Sequence, residues 1–171
     1  MNIPRAFAAG VLGAGAMTVI MLFARLWGLT ALNLELLLGS IVTRQLDPAT
    51  WLIGLGIHFM TGGLAGMLYA LGFEKWTLYA DSWIGLVFGS IHGFAGGFLI
   101  ALMPVVHPLM PDILIAPGPF GINFGLLTAA TFMGLHLLYG AMVGGFYETR
   151  SKARVIRIHN VHEARAHSKA A

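Results

Sequence analysis

The chain has 171 residues, of which 57% are hydrophobic and 10% charged, and its mean hydropathy is +0.79. A soluble domain carries about 25% charged residues, so this composition cannot cover a water-facing surface, and a soluble globule is excluded. With no cysteine, disulfides, thiolate metal sites and covalent haem attachment through cysteine are excluded as well.

A membrane span needs about 20 apolar residues to cross about 30 Å of hydrocarbon. Taken in chain order, the first qualifying stretch covers about 6–27. It is too long for the apolar core of a cleavable signal, and Arg25 and more apolar sequence follow it. Residues 31–38 are too apolar for a free loop and predict a short helix, lying on the outer interface or dipping into it, over about 31–43. The second span covers about 51–73. A short 74–82 connection makes it an antiparallel neighbour of the third, about 83–103. Residues 104–121 hold five of the seven prolines and predict an extended, turn-rich segment with no helix. The fourth span covers about 123–147. The span interiors carry no Asp, Glu or Lys, and Arg25 sits where its side chain can reach the interface.

The fold class is therefore an all-α membrane protein, with one four-helix domain over 1–147 and a basic tail over 148–171. The tail holds six Lys/Arg against two acids, and its His159, His162 and His167 read as solvated. Such a tail anchors to anionic lipid on the cytoplasmic side and gives no reason to invoke nucleic acid. With four spans, the termini and the 74–82 loop share one side, which holds eight Lys/Arg; the other side holds only Arg25 and Arg44. The expected placement is a multi-pass protein of the bacterial inner membrane with both termini cytoplasmic.

Spans two and four share an ungapped pattern. Gly56-Ile57-His58, Gly62, Gly66 and Tyr69 match Gly134-Leu135-His136, Gly140, Gly144 and Tyr147. Span three carries a partial copy in Gly89, Ile91-His92 and Gly96. The match predicts two tandem helical hairpins related by an axis along the membrane normal. Positions i, i+4, i+8 and i+11 share a helical face. Gly62, Gly66, Gly140 and Gly144 therefore form stripes that let helices approach closely.

The same spacing sets depth. With the tyrosines at the inner interface, His58 and His136 lie about 16 Å inward, and His92 lies about 14 Å from Trp83. Three imidazoles at one depth have three uses. They can join helices by hydrogen bonds, hold a b-type haem between His58 and His136, or bind a transition metal with His92 as a third ligand. A proton or ion relay is a further use of the same set. In the outer loop, Met103, His107, Met110 and Asp112 form a weaker copper-type set. No H-E-x-x-H or phosphate-binding loop is present, and the spans offer no acid to orient a histidine for Ser-His-Asp chemistry.

The Leu-Leu-Gly-Ser segment (Leu37 to Ser40) before a histidine span, the Met103-Pro104 pair and the closing His-Leu-Leu-Tyr-Gly of span four carry a resemblance. Over residues 6–147 the chain resembles small bacterial four-helix integral membrane proteins. That resemblance implies the fold and the inner membrane, and it carries over no catalytic residue. The leading expectation is a non-catalytic accessory or assembly subunit, with the lipid bilayer and a membrane protein partner or a second copy around it. A haem- or metal-binding redox protein and an oligomeric transporter or channel are the alternatives.

Overall fold

The computed structural model describes residues 1–147 and Thr149; the remainder of the expected basic tail lies outside the described residues. The chain forms α1 (Ile3–Leu26), α2 (Leu34–Thr43), α3 (Pro48–Gly72), α4 (Ser82–Ala101), a single turn α5 (Met103–Val106) and α6 (Leu126–Phe146). Among the described residues there is no strand. Helices α1, α3, α4 and α6 are long and apolar enough to cross a membrane.

Local chemistry sets where these helices begin. The side chains of Asn2, Asn33, Asp47 and Asp81 accept from the backbone amides of Arg5, Leu36, Thr50 and Ile84, at 3.2, 3.1, 2.7 and 2.8 Å. Each satisfies an amide that the first helical turn would otherwise leave without a partner. The Thr50 amide and hydroxyl hold the half-buried Asp47 carboxyl below the usual carboxylate range. Pro4 and Pro48 lie in first turns, where a missing N–H costs nothing.

Three boundaries differ from the sequence reading. After α3 the helix continues through a π-helical turn, Phe73–Thr77, and ends at Leu78 in the left-handed region (φ 57°). Tyr69 and Tyr147 are both buried, while Trp76 is exposed near the helix end. The proline-rich segment is not free of helix. Pro104 falls in the first turn of α5, and a 3₁₀ stretch covers Pro119–Phe124. The last helix starts at Leu126, after Gly125 takes a φ of 108° that breaks the turn before it.

Glycines place the long helices. Helix α1 packs antiparallel on α3, where a methyl at Gly10 would land on the Gly62 carbonyl oxygen and one at Gly66 would lie 2.6 Å from that of Ala6. Helices α4 and α6 meet likewise: a methyl at Gly85 would strike the Gly140 carbonyl, and one at Gly144 the Asp81 carbonyl. Gly62 and Gly66 in one repeat copy, and Gly140 and Gly144 in the other, thus make close backbone contacts in both pairs. Helix α1 also packs on α6, joining the pairs. By contrast, α3 and α4 meet through a cluster of aromatic rings, with Phe88 at 5.5 Å from Tyr69 and 4.8 Å from Phe73.

The two ends of the bundle are tied separately. At one, the Asn2 amide donates to the Tyr147 hydroxyl (3.1 Å), which donates to Glu74 (2.8 Å). The N-terminus, the start of the 74–82 connection and the end of α6 therefore meet. At the other end, α2 lies antiparallel along the first half of α3. Gly39 faces the Thr50 carbonyl there, and Gly54 faces that of Glu35.

Inserting a side chain at these contacts forces backbones apart, and overpacking costs about 1–3 kcal/mol. Gly62→Leu, Gly85→Leu and Gly140→Leu should each lower the melting temperature in detergent. Gly56→Ala and Gly134→Ala, where an added methyl meets nothing within 4 Å, should melt at or above wild type.

Candidate functional site

All three predicted histidines reach one place. His58 on α3, His92 on α4 and His136 on α6 line a single cavity of about 290 Å³. Apart from Thr61 and Tyr139 its remaining wall is apolar, with Met17 from α1, Leu34 and Leu38 from α2, Ile100 and Met103 near the end of α4, and Phe132 from α6.

Each imidazole is held by its Nδ1. That of His136 donates to the Phe132 carbonyl one turn back, at 2.8 Å. That of His58 lies 3.0 Å from Thr18 Oγ1 on α1 and 3.7 Å from Glu35 Oε1 on α2. That of His92 lies 3.2 Å from the Tyr69 hydroxyl. Among the described residues none of the three Nε2 atoms has a hydrogen-bond partner. The His92 and His136 rings stand edge to face with centroids 4.9 Å apart, and Tyr139 lies 5.5 Å from His92. The Tyr139 hydroxyl is spent on the Gly62 carbonyl, so it braces α6 against α3 and leaves the cavity to the imidazoles.

Sequence reasoning missed Glu35. The spans themselves hold no acid, but α2 delivers one to within 3.7 Å of His58 Nδ1 from outside them. Glu35 is 1% exposed, and Arg25 Nη1 lies 3.4 Å from its Oε2. Arg25 also donates to the Leu32 carbonyl at 3.3 Å, so its side chain turns to α2. The legible signal was a lone acid in an otherwise apolar 31–38 stretch, four residues before Gly39. A second void of about 20 Å³ lies between Glu35, His58 and His136, large enough for one water molecule.

The outer-loop set does not come together as one coordination site. His107 Nδ1 accepts from the Leu109 amide, and its Nε2 lies 3.1 Å from both the Leu37 carbonyl and Ser40 Oγ. Both ring nitrogens are thus engaged: Nε2 pins the loop to α2, and Nδ1 closes a turn within the loop. Met103 lines the histidine cavity, Met110 is buried in the core and Asp112 is exposed. Among the described residues no three His, Asp or Glu side chains converge closely enough to hold a metal ion.

No known protein family, curated protein or solved structure matches this chain.

Removing one partner of a buried ion pair strands the other charge, at about 3–5 kcal/mol. Arg25→Met and Glu35→Leu should therefore each lower the melting temperature in detergent, at the lower end of that range because Arg25 keeps some exposure. The double variant Arg25→Met/Glu35→Leu should recover most of the loss. Additive losses in this double-mutant cycle would show that the two side chains act separately.

Proposed function

We propose that this protein binds a small ligand in an intramembrane chamber through the imidazole nitrogens of His58, His92 and His136. The observation that carries the reading is their shared arrangement: one cavity, three rings, each fixed by Nδ1 with Nε2 left without a partner. Histidines that only join helices would spend both nitrogens on protein, as His107 does. An Nδ1 held by a carboxylate or backbone carbonyl is the usual support for an imidazole that engages a ligand by its other nitrogen.

The setting we propose is the bacterial inner membrane, with α1, α3, α4 and α6 as spans and both termini cytoplasmic. Helix α2 re-enters from the opposite side to bring Glu35 to His58. The paired glycine contacts support two tandem hairpins, α1 with α3 and α4 with α6, that arose by duplication. Tight packing by itself would also suit an accessory or assembly subunit beside a membrane partner or a second copy. The chamber is the feature that packing does not require. A haem b would need room for a four-ring macrocycle between two imidazoles. An apolar cavity of about 150 Å³ takes one benzene, so about 290 Å³ suits one substituted ring. A channel reading has less support, because the cavity wall toward the α3–α4 aromatic cluster is closed by ring packing.

Native mass spectrometry, metal analysis and absorption spectra of the protein purified with its own lipids test the reading. A stoichiometric small ligand should accompany wild type and be lost from His136→Gln, while helical content and melting temperature stay near wild type. A Soret band or stoichiometric metal would select the haem or metal form. Ligand-free wild type, together with histidine variants that retain full cellular activity, would overturn the chamber and restore the accessory subunit. For orientation, a cytoplasmic reporter fused after Ala171 and a periplasmic reporter placed in the 104–121 loop should both be active.

A further inference from the structure

We infer that the ligand of this chamber is a lipid-soluble hydroquinone, a single ring bearing hydroxyls, that enters sideways from the bilayer between α3 and α4. The inference rests on the chamber reading above and names its ligand class.

The route follows from how the helices part. Helices α3 and α4 touch where Phe88 meets Tyr69 and Phe73. Toward the α2 end, Thr61 on α3 and Leu99 on α4 both line the cavity and are both exposed. The cavity therefore opens through the side of the bundle, on a surface that its composition assigns to lipid. A molecule arriving that way must dissolve in hydrocarbon.

Proton positions decide the headgroup. His136 Nδ1–H is committed to the Phe132 carbonyl, so its Nε2 presents a lone pair. His58 Nδ1 lies 3.0 Å from Thr18 Oγ1 and 3.7 Å from Glu35 Oε1; we assign it the Nδ1–H tautomer, in which Nε2 presents a second lone pair. The buried Tyr69 hydroxyl has His92 Nδ1 as its hydrogen-bond partner among the described residues. Its proton goes there, and His92 carries N–H at Nε2. The chamber thus offers two acceptors and one donor. A hydroxyl that donates to His136 while its oxygen accepts from His92 fits this set, and the second hydroxyl of a hydroquinone can donate to His58. The oxidised quinone has only acceptor oxygens and would face two lone pairs.

Size and charge agree with this class. The volume is about twice that of a benzene-sized cavity. Among the described residues no Asp, Glu, Lys or Arg lines the cavity, and Glu35 next to His58 is paired with Arg25, which favours a neutral ligand. Any apolar tail would leave past Leu99 into lipid.

The test is binding of tetramethylhydroquinone and of tetramethylquinone to the full chain in nanodiscs under anaerobic conditions, with Zn²⁺ as a third probe. The hydroquinone should bind at least tenfold more tightly than the quinone, the ratio for one matched against one mismatched hydrogen bond. His136→Phe should abolish that preference while circular dichroism and melting temperature remain near wild type. Leu99→Trp, which narrows the side opening without touching a histidine, should slow hydroquinone association at least tenfold. Equal affinity for the two redox forms, or tighter quinone binding, overturns the inference. If Zn²⁺ alone binds and His136→Phe removes it, the chamber stands and the hydroquinone assignment fails. If none of the three probes binds to wild type, both fail.

Discussion

Backbone contact through glycine is the constraint on which the rest of this structure depends. Inside lipid there is no hydrophobic gain from bringing two apolar helices together, so association relies on dispersion at close range and on hydrogen bonds. Gly10 against Gly62 and Gly85 against Gly140 supply that range, with carbonyl oxygens where a side chain would otherwise stand. Because these contacts lie a few residues from His58 and His136 on the same helices, they also fix the azimuth of both imidazoles. Close packing and the chamber are thus two consequences of one pattern: α1–α3 and α4–α6 are drawn tight, and the volume left over collects between the pairs.

That volume becomes chemically useful because a polar group inside a bundle must find a partner or remain costly. The three histidines solve this on one side only. Thr18, Tyr69 and the Phe132 carbonyl satisfy Nδ1 and lock each ring, and Nε2 looks toward the cavity wall. The Arg25–Glu35 pair is the expensive part of the arrangement, since two charges are taken largely out of water. Its placement beside His58, with Asn33 capping the same short helix, means that the position of α2 sets the state of one chamber imidazole.

The long helices were legible in the sequence because apolar length and charge exclusion are properties of contiguous residues. The three histidines were legible as a group because the Gly–His–Gly–Gly–Tyr repeat fixes spacing along a helix, and spacing converts to depth. Glu35 was visible as a lone acid, but its partner was not legible, because that depends on how a short helix folds back beside α3, and no periodicity within 31–43 encodes that return. The partner of Tyr69 was hidden for a related reason. Tyrosine is common at interfaces, but the helix continues through Phe73–Thr77 and the Tyr69 hydroxyl turns inward to His92. His107 drew attention as a ligand type, whereas its Nε2 fastens a proline-rich loop to Ser40 and Leu37 and its Nδ1 accepts from Leu109 within that loop.

The two helix pairs also explain why the chamber is asymmetric. Aligning them by their glycine contacts sets Gly10 opposite Gly85 and Ala14 opposite Gly89, so Thr18 corresponds to Gly93 and Met17 to His92. On the first pair, Thr18 offers a hydroxyl to His58. On the second, Gly93 has no side chain and packs against the Cβ of His136, so His136 turns to its own helix and takes the Phe132 carbonyl. In exchange, the second pair carries His92 where the first carries Met17, and both residues line the same cavity. One half of the wall therefore has a histidine tuned by a carboxylate, and the other has two histidines in mutual contact. A ligand that bridges the halves meets different hydrogen-bonding groups at its two ends, which a symmetric dimer of one hairpin could not provide.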